Sequence, residues 1–220
     1  MDQLLSRRSL LVAGCTLPLL ALPGCASLPG FGMVDALRRL LTLSSQRAFA
    51  RLLNENGFFE DEFARVGLPE AGPIATALVR VPFVRDQMLR LMNRAASNAA
   101  EAAAPIVYDA IRTMSFGDAV SLVRGGPTAA TDFLERAMGD AIVDAMFPGV
   151  GNALRAFDNG VLNQVVRNAT GVDFQALQTH VTRSAARGIY RAIGREEAAI
   201  RANPRETGDP LIMGVFGLGG

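Results

Sequence analysis

Residues 83–103 read FVRDQMLRLMNRAASNAAEAA. Val84, Met88, Leu91, Ala95, Ala99 and Ala102 recur at steps of four and three, which is the spacing of one face of an α-helix. Arg85, Asp86, Arg90, Arg94, Asn98 and Glu101 fill the positions between them. The second half is rich in alanine, so a neighbouring helix can approach its backbone closely. Pro105 then marks a kink or the first turn of a new helix, and Ile106, Val107, Ala110, Ile111 and Met114 continue the apolar stripe.

The same period extends in both directions. Upstream, Val34, Leu37, Leu41, Phe49 and Leu52 line one face of an expected helix over 33–53, which Gly57 ends. Phe58, Phe59 and Phe63 are expected to plug the core from an irregular crossing, and a short helix is expected from Gly72 to Val81. Downstream, Ser115-Phe116-Gly117-Asp118 reads as a capping box in which the Ser115 hydroxyl accepts from the Asp118 amide, opening a short helix to Arg124. Gly125-Gly126-Pro127 is a turn. A long helix starting at Pro127 or Thr128 carries Ala130, Phe133, Leu134, Ala137, Ala141, Ile142 and Ala145 inward until Pro148-Gly149 breaks it.

Val150 to Ala169 is a further helix, with Leu154, Phe157, Val161 and Val165 inside. Asp173 caps the next, which buries Phe174, Leu177 and Val181 and divides at Gly188. Asn203-Pro204 stops the helical run, and Asp209-Pro210 restarts a short apolar piece, Leu211 to Phe216, that should dock on the body. No segment carries a two-residue strand period. The expected fold is all-α: a single helical bundle of about eight helices and no sheet, occupying residues 33–220 as one domain.

The first thirty residues have another character. Arg7-Arg8 followed by an apolar run from Leu10 to Leu22 is a charged-then-apolar export signal, too short for a comfortable spanning helix of ~20 residues. The arginine pair resembles a twin-arginine signal, although Leu10 replaces the usual aromatic and no Lys follows; the ordinary Sec route stays open. Val12-Ala13-Gly14-Cys15 is a good lipobox but lies too close to the arginines. Leu22-Pro23-Gly24-Cys25 follows a full apolar segment, so lipidation is assigned to Cys25, against the simpler reading of a plain signal cut near Ala26. Residues 1–24 are then a cleavable signal and 25–32 a tether. The localisation that follows is periplasm or cell envelope, with a lipid anchor holding the chain at a membrane.

Composition narrows the chemistry. The chain has 22 basic and 21 acidic residues, which argues against a nucleic-acid partner, because such binding needs excess cations facing phosphates. All the basic residues are Arg, read here as coding bias. No cysteine follows Cys25, so no internal disulfide and no thiol nucleophile is available. His180 is the only histidine. It is expected to be a packed or surface residue, no metal site or cofactor is expected, and no catalytic residue is assigned.

From Asp35 to Phe216 the ordered motifs Asn93-Arg94-Ala95-Ala96, Asp109-Ala110-Ile111, Met114-Ser115-Phe116, Asp118-Ala119, Gly125-Gly126, Thr128-Ala129-Ala130-Thr131, Glu196-Glu197, Ile200-Arg201, Asn203-Pro204 and Val215-Phe216-Gly217 resemble a bacterial family, domain of unknown function number 4197. The resemblance implies a helical envelope protein, often exported, and implies no activity, substrate or cofactor. Leu211-Ile212-Met213 departs from it where a more basic stretch is expected.

Three polar groupings are candidate sites. Arg94, Asn98 and Glu101 share a helix face beside Asn93 and could hold a carboxylate or phosphate. Thr128 and Thr131 follow a glycine turn into a helix start, where free amides attract anions but also invite a side-chain cap. Glu197 and Arg201 are four apart in the favourable order for pairing, and Glu196, Glu197, Asp209 and Arg205 could gather as an acid site. The candidate polar or anion site is therefore Asn93, Arg94, Asn98, Thr128, Thr131, Glu197 and Arg201, each set against a purely structural use. The expected function is that of a non-enzymatic envelope lipoprotein, an interaction or scaffold module with an envelope protein partner. The alternative is a binder of a lipid or small hydrophobe, in an apolar cavity lined by Met88, Met92, Met114, Met138 and Met146.

Overall fold

The computed structural model describes residues 29–70, 72, 75, 82–156 and 174–217. Among these lie eight α-helices, one 3-10 turn and no strand, so the chain is the all-α bundle expected. The helices are α1 (Pro29–Leu52), α2 (Gly57–Glu60), α3 (Pro82–Thr113), α4 (Ala119–Arg124), α5 (Ala129–Met138), α6 (Ala141–Ala156), α7 (Phe174–Ala202) and α8 (Pro210–Phe216), with the 3-10 turn at Pro204–Thr207 before α8. The export signal, Cys25, most of the expected 72–81 helix, and Phe157, Val161, Val165 and Asp173 lie outside the described residues.

Four long helices make the body. α3 packs on α6 and α1, and α7 packs on the same two, closing a ring. Their inward faces meet in one core: Leu37, Leu41 and Leu52 of α1; Met88, Met92, Ala96, Ala100, Val107 and Ile111 of α3; Ile142, Met146 and Val150 of α6; Val181, Ala185, Ile189 and Ile193 of α7. The alanine half of α3 brings α6 near, as its composition predicts. A Cβ placed on Gly149 would lie 3.3 Å from the Ala99 Cβ.

Several boundaries differ from the sequence expectations for identifiable reasons. α1 begins at Pro29, so Pro29–Gly32, expected in the tether, form its first turn; Pro is well suited there because its missing N–H has no intrahelical partner anyway. Pro105 does not divide α3, which runs through it. Its ring and the Glu101 turn below it face solvent, so water can serve the backbone carbonyl the proline leaves unpaired. Ala102 is exposed, and the buried stripe passes instead through Ala96, Ala99, Ala100 and Ala103. The break expected at Pro148 occurs at Gly139, with φ of 53°, a left-handed backbone that glycine adopts without Cβ strain. Pro148 is exposed inside α6. The phase of the apolar stripe resets at Gly139, which is why Ala137 and Ala141 lie at the surface while Leu134 and Ile142 are buried. Phe58 fills the core, whereas Phe63 is 42% exposed.

Gly188 does not interrupt α7. The segment after α2 crosses the helix at this point, so closely that a Cβ on Gly188 would lie 2.7 Å from the Ala64 carbonyl oxygen and 2.9 Å from its Cα. That segment is pinned on both sides. Asp61 accepts from the Phe63 and Ala64 amides at 2.9 and 3.0 Å. Buried Asn93 pairs with both backbone groups of Val66, accepting from its N–H at 2.8 Å and donating to its carbonyl at 2.9 Å. With backbone on the far side there is no flexible side chain to give way. Gly188→Ala is expected to destabilise the fold by about 1–3 kcal/mol, read as a lowered midpoint in urea unfolding.

Candidate functional site

The polar centre of the molecule is the corner where α4 and α5 meet α7. Glu197 is fully buried on α7, and both carboxylate oxygens are occupied. Oε1 accepts from the Ala130 amide at 3.0 Å and from Arg201 Nε at 2.8 Å; Oε2 accepts from the Thr131 amide at 2.7 Å and the Thr131 hydroxyl at 2.6 Å. A carboxylate at the positive end of a helix, receiving its free amides, is favourable on both electrostatic and hydrogen-bonding grounds. The side chain thus caps α5 from a different helix. Thr128 holds the N-cap position but makes no side-chain cap bond; its hydroxyl donates to Asp132 at 3.2 Å.

Arg201 completes the corner. Besides its bond to Glu197, Nη1 donates to the Val123 carbonyl at 2.9 Å and Nη2 to the Leu122 carbonyl at 3.0 Å, closing the C-terminal end of α4. Its guanidinium carbon stands 4.8 Å from the centre of the Phe216 ring, so α8 docks over it. Three divergent N–H directions are used at once, which a lysine ammonium on a single stem could not reproduce. The helix-start amides that follow the glycine turn, considered as an anion site, therefore hold an anion the protein itself supplies.

Of the candidate residues, the structure brings Thr131, Glu197 and Arg201 together. Thr128 stands beside them, turned to Asp132. Asn93 serves elsewhere, at Val66 and at the Leu89 carbonyl. Arg94 and Asn98 lie on the exposed face of α3, with Glu101. The suggested acid grouping is dispersed. Glu196 is buried and meets Arg51 at 2.8 Å, Asp209 accepts from the Leu211 and Ile212 amides and from Arg39, and Arg205 is exposed. His180 is half-buried and its Nε2 donates to the Gly67 carbonyl at 2.8 Å. Met88, Met92 and Met146 are packed in the core, with Met114 and Met138 at its edge.

Sequence reasoning missed three parts of this arrangement. The capping residue of α4 is Asp118, which accepts from the Ser121 amide at 2.9 Å, not Ser115; Asp118 is itself three residues ahead of Ser121, so the same pattern was present one turn later. Asp61 and Arg195 form an ion pair at 2.8 Å between the α2–α3 connection and α7, which no spacing rule reveals. Arg187, Arg191 and Arg195 follow one another at four-residue steps along α7, a spacing legible in the sequence. They edge a groove of about 470 Å³ between α5 and α7, together with Phe63, Thr128, Asp132, Glu135 and Tyr190.

Two carboxylates carry shifted acidities. For Asp61 burial acts to raise the pKa, but the Arg195 bond and the Ala64 and Phe63 amides outweigh it and bring the group below its ordinary value. Asp209 is also lowered, first by its bond to Arg39, against burial and with help from the Ile212 and Leu211 amides.

Residues 28–217 match the family described as "Protein of unknown function (DUF4197)". The chain belongs to this family. No curated protein and no solved structure matches the chain. The matched span takes in every described helix, so the Glu197 corner, the α5–α7 groove and the α8 contact all fall inside the DUF4197 region. Among the described residues no group of three or more His, Cys, Asp or Glu is placed to hold a metal ion, and no helix is long and apolar enough to cross a membrane.

Removing the Glu197 carboxylate leaves Arg201 buried without its partner and two amides unpaired. Glu197→Ala is expected to cost about 3–5 kcal/mol in unfolding free energy, with faster hydrogen exchange at Ala130 and Thr131 as the local signature. Asp61 and Asp209, with folded pKa values below their unfolded ones, contribute stability present above about pH 4 and lost as pH falls through the folded values. Asp209→Asn should flatten the acid limb of a stability-against-pH curve while leaving its neutral shape unchanged; an unaltered limb would show that the α8 cap does not carry that dependence.

Proposed function

We propose that this chain is a non-enzymatic module of the bacterial cell envelope, held at a membrane by a lipid on Cys25, which acts by binding an envelope protein partner. The observation that carries the reading is the state of Glu197. The most deeply buried carboxylate among the described residues has both oxygens taken up by two amides, a hydroxyl and a guanidinium of the same chain, so it works on helix ends and not as a proton carrier. A general acid or base must reach the proton it moves, and Glu197, Asp61 and Asp209 are instead each bonded to backbone amides and an arginine. The anchor reading rests on the sequence of the first twenty-five residues. The alternative of a lipid or small hydrophobe inside the bundle has weaker support, because Met88, Met92 and Met146 belong to the packed core.

In fractionation of cells expressing the full chain, the protein is expected with the membranes and labelled by a fatty-acid probe, and Cys25→Ala is expected to lose the label and move to the soluble envelope fraction. Retention of a label-free Cys25→Ala chain on membranes would remove Cys25 as the anchor. Cross-linking in intact envelopes should give an adduct of one defined mass that persists across salt concentrations; its absence counts against the interaction role.

A further inference from the structure

The groove between α5 and α7 has features that the Glu197 corner lacks: polar groups left over. Tyr190 on its floor is 95% buried, at 5% exposure, and its hydroxyl has no hydrogen-bond partner. Arg195, at the same groove, ties Nη1 to Asp61 at 2.8 Å, but its buried Nε and Nη2 make no hydrogen bond; the Glu196 carboxylate comes no nearer to Nε than 3.5 Å. Enclosed donors without acceptors are uncommon, since each forfeits its solvation without compensation. The Phe63 ring lies over Arg195 at 5.2 Å and is exposed on its outer side. Its backbone is fixed through Asp61, which accepts from the Phe63 amide at 2.9 Å.

The walls above this floor carry opposite charge. Arg187 and Arg191 stand on the α7 side, Asp132 and Glu135 on the α5 side. Among the described residues no ion pair joins the two walls; Asp132 accepts from the Thr128 hydroxyl and Arg187 donates to the Ser184 hydroxyl, each at 3.2 Å, so the groove keeps complementary charges apart. Glu197 is fully buried and does not line the groove, so the anion of that corner is not shared with it. A volume of about 470 Å³ is within the range of small-ligand sites.

We infer that this groove binds a small zwitterion, a free amino acid or a short unblocked peptide, with its carboxylate received by Arg191, Arg195 and the Tyr190 hydroxyl and its ammonium by Glu135 and Asp132. A simple anion would leave the acidic wall facing it, and a simple cation would leave the three donors unmatched; a ligand carrying both groups satisfies both walls. The inference concerns a small ligand and stands apart from the protein-partner reading, so either can fail without the other.

The test is titration of the isotopically labelled full-length chain with L-leucine, trialanine, N-acetyl-trialanine and trialanine amide, followed by amide chemical shifts. Saturable shifts confined to residues 128–135, 187–198 and the neighbourhood of Phe63 are expected with L-leucine or with trialanine, and which of the two saturates at lower concentration identifies the free amino acid or the peptide as the source. If trialanine binds, each blocked form is expected to bind about tenfold more weakly or less. Tyr190→Phe removes one hydroxyl that has no partner within the fold, so the unfolding midpoint should hold or rise while affinity falls roughly threefold or more. Glu135→Gln, at an exposed position, should also weaken binding without loss of fold. No saturable shift with either zwitterion up to about 10 mM, binding of the blocked peptides as tight as that of trialanine, or full affinity in Tyr190→Phe would each overturn the assignment.

Discussion

The buried Glu197 carboxylate is the constraint on which the smaller half of this bundle depends. α4 and α5 are too short to hold their shape by helix formation alone, since isolated helices below ~12–15 residues are marginal in water. Glu197 joins the start of α5 to α7, and Arg201, one turn further on, joins the end of α4 to the same helix. The two charges neutralise one another within a site of low polarity, and each also meets backbone groups that a helix end would otherwise leave open. Docking α4 and α5 on α7 and satisfying their termini are therefore the same event. α8 depends on it in turn, because Phe216 rests on the Arg201 guanidinium.

Charge is used in the same way around the molecule. Asp61, Asp118 and Asp209 accept from amides at the start of a turn or helix, and Arg38 donates to the Ile111 and Met114 carbonyls where α3 ends. These are favourable pairings of side-chain charge with the helix macrodipole. They account for a chain with nearly balanced acids and bases whose buried charges do not gather into one cluster. The α5–α7 groove stands apart from this pattern: there the Tyr190 hydroxyl and two nitrogens of Arg195 have no hydrogen-bond partner, and among the described residues no ion pair joins the opposed charges of its walls.

What could be read from sequence was the periodic part. The helical face through Met88, Ala95 and Ala99, the stop at Asn203-Pro204, the restart at Asp209-Pro210 and the Glu197–Arg201 pair all arise from local spacing, and local spacing is visible in one dimension. The errors fell where a local signal competes with its surroundings. Pro105 and Pro148 lie on solvent-facing turns, where water can serve the carbonyl each leaves unpaired, and the helices continue through both. Gly188 reads as a helix breaker, yet its lack of a side chain serves the crossing of Ala64. Phe63 has the composition of a core residue but covers an arginine at the surface. Of the candidate site, the Thr131–Glu197–Arg201 cluster was legible in part because two of its members share a helix. Asp61–Arg195 and Asn93–Val66 were not, because each joins segments far apart in the chain with no periodic relation between them.

The near contact of Gly149 with Ala99 sets a mechanical limit. Where alanine meets glycine the two backbones come close with no bulky side chain between them, so at this point α3 and α6 cannot accept a larger residue without being pushed apart.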